Sequence, residues 1–211
     1  MGDAMSFRLI ARTAIVVTAA LVPTGASAHH VMGGQIPATF LQGLLSGLGH
    51  PVIGPDHLAF LLAIGIAVGV GGLNLALPAL FVVAAAVGVA LHVAAVDLPA
   101  AEIVVAVSVL LAGILIARGR PLPVWVWAAL FTIAGLFHGY AYGESIVGAE
   151  ATPLYAYLAG LILIQSALTI ATALLARWRS ERVSDLMPRL AGVAIVVVGL
   201  AALIGQLVSG A

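Results

Sequence analysis

The chain has 211 residues, of which 63% are hydrophobic and 8% charged, and its formal net charge is zero. A soluble domain carries about 25% charged residues, so this composition excludes a water-soluble fold and indicates an integral protein of the lipid bilayer. The sequence contains no basic stripe for nucleic acid to bind. It also contains no cysteine, which excludes disulfides, thiolate metal sites and iron–sulfur clusters.

The N-terminus has the pattern of a secretory signal peptide. Arg8 and Arg12 precede a short apolar run, and the small residues 26–28 follow it. A basic start, an apolar centre and a small-residue cleavage site are typical of a leader that is removed. We therefore predict a signal peptide over 1–28 and a single transmembrane domain over 29–211. The alternative is an uncleaved first transmembrane helix.

A helix that crosses a bilayer needs about 20 mostly apolar residues, with a range of roughly 17–25. Six segments approximate this requirement, and a shorter apolar segment, 36–49, precedes them and ends at a His-Pro pair. The predicted fold is all-α, a polytopic membrane bundle of six transmembrane helices with a short re-entrant or partial N-terminal helix over 36–49. The predicted spans are 57–73, 76–96, 101–117, 124–142, 154–176 and 188–208.

The arginines predict how these helices are oriented, because short cytoplasmic loops carry an excess of Lys and Arg. Two clusters are separated by two spans, so both are predicted on the cytoplasmic side of the inner (plasma) membrane. The mature N-terminus and the C-terminus are then outside. A complete crossing by 36–49 would reverse this assignment, which favours a segment that does not cross. The arginines are Arg118, Arg120, Arg177, Arg179, Arg182 and Arg189.

The stretch GHPVIGPDH places two histidines and an aspartate beside helix-breaking prolines. In a continuous helix, His50 and His57 would be about 10.5 Å apart. That is too far for one ion, because metals bind imidazole nitrogen at about 2.0–2.1 Å. Pro51 and Pro55 interrupt the helix, so the chain is predicted to fold back and bring the side chains together. Asp56 is predicted to be the N-cap of the next helix.

Further ionisable residues lie at the same predicted depth. His92 lies near the outer end of 76–96, His138 near the outer end of 124–142, and Glu144 follows within two turns. Ionisable residues in a membrane are costly and usually mark a pathway or a site. Imidazoles with carboxylates suit Ni²⁺, Co²⁺ or Zn²⁺ better than Mg²⁺ or Ca²⁺, which prefer oxygen. The predicted metal ligands are His50, Asp56, His57, His92, His138 and Glu144.

Some residues have a structural interpretation beside a functional one. His29 and His30, exposed by cleavage, either capture metal at the mouth of the protein or are remnants of the processing site. Gln165 lies mid-span and is predicted to form hydrogen bonds between helices. Small-residue pairs for close helix packing are Gly43 with Gly47 and Gly65 with Gly69. Predicted interfacial anchors are Trp125, Trp127, Tyr155 and Tyr157.

Two motifs resemble those of the HupE/UreJ family, the hydrogenase and urease accessory permeases. The stretch HPVIGPDH fits H-x5-D-H, and FHGYAYGE is similar to the family element F-H-G-x-A-x-G. The resemblance covers most of the mature chain. The family pattern ends G-x-E, whereas here Glu144 follows Gly143 directly, so Glu144 and the downstream Glu150 both remain candidates for the functional carboxylate. By motif position, the implied functional residues are His50, Asp56, His57 and His138.

This resemblance implies an uptake permease for Ni²⁺ or Co²⁺ rather than an enzyme. The divalent ion would be the transported partner, with Zn²⁺ also fitting the ligands, and no cofactor would be permanently bound. A homo-oligomer is left open. An ATP-driven pump within this chain is excluded, because no G-x-x-x-x-G-K-[ST] loop is present.

Two other functions remain open from the residues alone. An intramembrane metalloenzyme would hold a catalytic ion with the histidines and would use Glu144 as general base. A bis-histidine haem protein would transfer electrons, although Asp56 and the broken loop suit a metal cation better.

Overall fold

The structure, a computed structural model, describes residues 35–180 and 186–209. The predicted leader over 1–28, with His29 and His30, lies outside the described residues. Within them the chain is all-α, as the sequence predicts, and no strand occurs in either described range. The helices are α1 (Phe40–Ile53), α2 (Pro55–Val70), α3 (Ala79–Val93), α4 (Ala101–Ala117), α5 (Val124–Gly143), α6 (Ala151–Ser180) and α7 (Leu186–Ser209).

Helix lengths support the predicted count of six membrane crossings only in part. By length and composition, α5, α6 and α7 can each cross a bilayer, and α1 with α2 can form a fourth span bent by 79°. Helices α3 and α4 have 15 and 17 residues, which is roughly 22 and 26 Å at 1.5 Å per residue. The hydrocarbon core is about 30 Å thick, so these two helices are short for it.

The first helix differs from its predicted end at residue 49. A capping box in which Thr39 and Gln42 bond each other's backbone begins α1, and the helix continues through His50 and Pro51 to Ile53. Pro51 therefore does not break the helix at His50; it lies in the last turn, where it costs one backbone hydrogen bond. The break comes at Gly54, whose backbone is extended and whose N–H donates to the carbonyl of His50.

Helices α1 and α2 contact α6 one after the other, on either side of their 79° bend. A Cβ added to any of four glycines on α1 and α2 would overlap an atom of α6, so the helices touch at these points. The contact points advance along α6 in chain order, as they do in one broken span and not in a segment that dips in and returns. The glycine-packing prediction is confirmed, and the partial-helix form of 36–49 is favoured. The pairs are Gly43 with Pro153, Gly47 with Tyr157, Gly65 with Thr169 and Gly69 with Ala173.

Helix α2 forms the centre of the bundle. It packs against α6, α4 and α7, while α1 pairs with α6, α3 with α5, and α4 with α7. Most of its side chains are buried, among them Phe60, Leu61 and Ile64. A helix that is hydrophobic on every side belongs in the interior of a bundle. Because α2 begins at the broken segment, the groups near its first turn lie inside the protein.

The described arginines share one end of the bundle, which we call the arginine end. The ends of α2, α4 and α6 meet the beginning of α7 there: the guanidinium of Arg177 donates to the carbonyl of Leu73, and Arg189 lies against Gly119. Arg118 and Arg120 follow α4 at the same end. The two clusters therefore lie on one side, as predicted, although Arg182 and the side chain of Arg179 are outside the described part of the chain.

Helix packing at Gly139 gives a test of this arrangement. A Cβ there would overlap backbone atoms of Ala85 on α3, so we expect Gly139→Ala to lower the free energy of unfolding by about 1–3 kcal/mol. The measurement is reversible unfolding by sodium dodecyl sulfate in mixed micelles. The matched control is Gly205→Ala, also inside a helix, where a Cβ would meet no heavy atom within 4 Å. A loss of the same size in both variants would contradict the packing.

Candidate metal-binding site

Three histidines from three helices meet at the break between α1 and α2. The ring centroids of His50 and His57 are 5.7 Å apart, and those of His57 and His138 are 5.0 Å apart. The side chains are 2%, 3% and 0% exposed, respectively. We call these three residues the histidine cluster. His50 and His57 come together, as the sequence predicts, but through the 79° bend at Gly54 and not through a chain that folds back; His138 of α5 joins them.

A hydrogen-bond chain fixes where the protons of two of these imidazoles lie. The single proton of the Ser108 hydroxyl goes to the carbonyl of Val105 at 2.7 Å. Ser108 therefore accepts from Nε2–H of His138 at 2.9 Å, and a neutral His138 then presents a lone pair at Nδ1. That lone pair faces Nδ1 of His57 at 2.9 Å, so His57 is the donor. The two nitrogens share one proton that a metal would have to displace.

His50 is oriented in a similar way from the other side of the cluster. The Tyr157 hydroxyl donates to the carbonyl of Tyr142 at 2.7 Å, so it can only accept from Nδ1 of His50, 3.2 Å away. The Ser145 hydroxyl lies 2.8 Å from the same nitrogen. With its proton on Nδ1, His50 carries its lone pair on Nε2. Hydrogen bonds to the second nitrogen are how proteins set the tautomer of metal-binding histidines.

Asp56 lies in the first turn of α2 and is not its N-cap, which corrects the prediction. The cap position is Gly54, and Pro55 is the first helical residue. The Oδ1 atom of Asp56 accepts from the backbone N–H of His57 at 2.8 Å, where the helix dipole favours a negative charge. A Cβ at Gly54 would lie 2.7 Å from the His57 ring and 3.3 Å from Asp56 Oδ1. Glycine at the break therefore makes room for both side chains.

Aromatic rings pack against the histidine cluster. Phe60 lies 4.6 Å and Phe81 lies 5.6 Å from the His138 ring, measured between ring centroids. Tyr142 lies 4.4 Å from His57 and 5.1 Å from His50. These rings exclude water around the imidazoles, which strengthens electrostatic interactions within the site.

The structure does not bring His92 and Glu144 into the cluster. Nδ1 of His92 contacts the carbonyl of Tyr140 at 2.7 Å, and the two rings stack with centroids 4.3 Å apart. Glu144 is exposed at the end of α5, and Glu150 is exposed just before α6. The depth of these residues is close to that of the cluster, but their side chains face elsewhere.

Comparison with known proteins agrees with the motifs. The family profile described as HupE / UreJ protein matches residues 17–202. Protein HupE of Rhizobium leguminosarum bv. viciae is 33% identical over 167 residues, which is 78% of this chain and 86% of that protein. The chain belongs to the HupE/UreJ family. No solved structure matches it.

Several residues of this HupE/UreJ chain that shape the site were missed in the sequence. Tyr157 was predicted to be an interfacial anchor, but it is fully buried against His50, and Trp127 is buried too. Tyr155 and Trp125 are exposed, as anchors should be. Ser108 carries the one hydroxyl in the apolar sequence of α4. A single polar residue in such a helix could have been recognised as a candidate site residue from the sequence.

Glu102, in the first turn of α4, is a further acidic group that the sequence analysis did not single out. It interacts electrostatically with Asp56 and Glu144, and one of its oxygens is 3.5 Å from the amide nitrogen of Gln206. The family member therefore gathers carboxylates at the end of the bundle opposite the arginines. Such a concentration of negative charge attracts cations.

The site as it stands is a hydrogen-bonded cluster and not a closed metal cage. Among residues 35–180 and 186–209, no three His, Asp or Glu side chains have the arrangement of a metal site. Within the cluster, the Nδ1 atoms of His57 and His138 are 2.9 Å apart.

Replacing Ser108 tests whether its hydroxyl orients the His138 ring. We expect Ser108→Ala to weaken Ni²⁺ binding by about 10–100-fold, the usual effect of losing a residue that orients a ligand. His138 loses the acceptor that fixes its Nε2 proton, so its Nδ1 lone pair is no longer held towards His57. Isothermal titration of the purified protein measures the change. Thr132→Ala removes a hydroxyl that bonds only within α5; equal weakening by both substitutions would contradict the role of Ser108.

Proposed function

We propose that this protein is a permease that takes up a divalent transition-metal ion, Ni²⁺ or Co²⁺ with Zn²⁺ as a further candidate, through the histidine cluster. Metal is its transported substrate, so no permanently bound cofactor and no catalytic reaction are needed. His50, Asp56, His57 and His138 receive the ion. Glu144, with Glu102, acts at the acidic mouth, and His92 supports the fold at that mouth through Tyr140.

The observation that carries the proposal is the pair formed by His57 and His138. Their Nδ1 atoms are 2.9 Å apart. Two nitrogen ligands bound at about 2.0–2.1 Å and at right angles to each other lie roughly 2.9 Å apart. Once the proton of His57 moves from Nδ1 to Nε2 of the same ring, both Nδ1 atoms present lone pairs, and these imidazoles can bind one ion with little movement of either helix. Right-angled coordination by nitrogen and oxygen suits Ni²⁺ better than the tetrahedral geometry of Zn²⁺.

Asp56 supplies the charge that neutral imidazoles lack. It is buried beside His57, and a buried carboxylate is costly unless an opposite charge or a set of hydrogen bonds compensates it. A bound dication provides that opposite charge. A bound metal would therefore add to the hydrogen bond from the His57 N–H and to the helix dipole, which already stabilise the Asp56 carboxylate.

The proposed orientation places the histidine cluster in the outer half of the inner membrane. His138 lies about 8 Å along α5 from its end at Gly143, and Ser108 lies about 10 Å along α4 from its start at Ala101. Both ends are opposite the arginine end, which the positive-inside rule assigns to the cytoplasm. The broken span formed by α1 and α2, with α3 to α7, would give six crossings and leave both mature termini in the periplasm.

The rival functions fit this geometry less well. A bis-histidine haem needs a porphyrin between its two axial nitrogens, and 2.9 Å between His57 and His138 leaves no room for one. A metalloenzyme needs a general base beside the ion, and Glu144, the carboxylate considered for that role, is exposed outside the cluster. The proposed path of the ion does not depend on whether the protein forms homo-oligomers, because all three histidines of the cluster belong to one chain.

The test is Ni²⁺ flux into proteoliposomes that contain the purified protein and an entrapped metal-sensitive dye. We expect saturable entry of Ni²⁺ and Co²⁺, with Mg²⁺ neither entering nor competing, because Mg²⁺ avoids imidazole. Liposomes without protein give the background. One metal ion retained per chain, with no flux above that background, would favour a metalloenzyme and would remove the permease assignment.

A further inference from the structure

Two buried polar side chains beside the histidine cluster lack hydrogen-bond partners. The hydroxyl of Tyr142 and both amide atoms of Gln165 are buried without a partner. The two side chains are close enough to interact with each other, but the contact does not have the geometry of a normal hydrogen bond. Buried polar groups in proteins are almost always satisfied, either by the protein or by an ordered water or ion. Two adjacent polar side chains with unsatisfied atoms therefore indicate a position where water or an ion can bind.

Gln165 lies on the inner side of the cluster, and Tyr142 connects the two. Tyr142 is near the outer end of α5, but its ring contacts His50 and His57, so this one residue touches both the cluster and Gln165. Along α6, Gln165 lies eight residues beyond Tyr157, which is about 12 Å closer to the arginine end. An ion that moves inward past the Tyr142 ring therefore reaches Gln165 next.

Gln165 reaches another helix, as predicted, because its side chain interacts with Tyr142 of α5. Neither atom of its amide makes a hydrogen bond of normal geometry there, so this contact leaves the amide incompletely satisfied. The neighbouring Thr169 is also fully buried, but its hydroxyl bonds the carbonyl of Gln165 within α6 at 2.7 Å. The helix can thus satisfy a buried hydroxyl by itself, whereas it leaves the longer amide extended towards Tyr142.

We propose that Tyr142 and Gln165 form a second, oxygen-lined cation position that receives the partly hydrated metal ion as it leaves the histidine cluster. The phenol oxygen and the amide oxygen act as weak ligands, and the amide N–H₂ donates to water that stays on the ion. Weak sites in series let an ion leave a nitrogen site without full dehydration. This inference rests on the proposed permease function and deepens it.

Water access to Gln165 is the first test, and the chain suits it because it has no cysteine of its own. We expect the thiol of Gln165→Cys in proteoliposomes to react with N-ethylmaleimide about tenfold faster than that of Leu163→Cys, since only a hydrated thiol forms the reactive thiolate. Leu163 is at nearly the same depth on α6, but its side chain is 60% exposed on the surface of the helix bundle. Saturating Ni²⁺ should slow the labelling of Gln165→Cys. Equal labelling of the two thiols, or no effect of Ni²⁺, would overturn the proposal.

Transport then separates this inference from the permease assignment. We expect Tyr142→Phe and Gln165→Leu to lower the maximal Ni²⁺ flux at least fivefold while the dissociation constant at the histidine cluster stays within twofold of wild type. Tyr155→Phe, at an exposed tyrosine of the same helix as Gln165, should leave both quantities unchanged. Absence of flux in the wild type would overturn the permease itself. Wild-type flux in both variants, or loss of binding along with flux, would overturn only the second position.

Discussion

Replacing His138 by glutamine is expected to reduce Ni²⁺ uptake by at least about tenfold, since even the loss of a residue that only orients a ligand costs 10–100-fold. His138 presents the lone pair of its Nδ1 to the cluster, and glutamine is of similar size but offers only a weaker amide oxygen in that region. The measurement is uptake of radiolabelled Ni²⁺ by cells that express each variant, divided by the amount of tagged protein in the membrane.

The control for this prediction is His92→Gln. His92 lies near the same end of the bundle, but its ring stacks on Tyr140 and does not reach the cluster. Uptake by this variant should remain within twofold of wild type. A large loss in His92→Gln, with little loss in His138→Gln, would mean that the ion takes a path past Tyr140 and that the cluster has a purely structural role.

Replacing Asp56 by asparagine is expected to weaken Ni²⁺ binding by at least about tenfold, because a charge-assisted interaction is roughly twice as strong as a neutral one and the dication loses a nearby negative charge. Asparagine keeps the oxygen that accepts from the N–H of His57, so the first turn of α2 should remain intact. Isothermal titration gives the dissociation constant, and circular dichroism in detergent checks that the helix content is unchanged.

Asp97→Asn is the matched control, because it removes one negative charge in the connection between α3 and α4, where Asp97 is exposed. If attraction at the mouth were the main contribution of the carboxylates, both substitutions would slow uptake to a similar degree and higher salt would abolish the difference from wild type. We expect instead that only Asp56→Asn changes the affinity, and that salt has little effect on a buried group. Equal changes in affinity would contradict direct contact between Asp56 and the ion.

The proton between His57 and His138 has a consequence for the pH dependence of metal binding. A neutral imidazole carries one proton, so a metal that took both Nδ1 atoms would require the His57 proton to move to Nε2 of the same ring. This change of tautomer releases no proton. Metals bind only the neutral form of histidine, so we expect Ni²⁺ binding to weaken at low pH, where the imidazoles become protonated.

The amino-acid sequence alone determined the class of protein and the chemistry of its site. Its apolar composition indicated a bilayer, and the spacing of His50, Asp56 and His57 around two prolines predicted a break in the helix, which the structure contains as a 79° bend. The arginines were assigned to one side, and the described ones meet at one end. These inferences succeed because composition and local spacing are properties of the chain that do not depend on how neighbouring helices pack.

The tertiary structure alone decided which side chains share the pocket. His92 and His138 have similar depths, yet one faces Tyr140 and the other faces the cluster, while Ser108, Ser145 and Tyr157 were not predicted to reach it. The physical reason is that a shift of one residue turns a helix by about 100°. In a membrane both the lipid side and the packed side of a helix are apolar, so the sequence carries no periodic signal from which that rotation can be read.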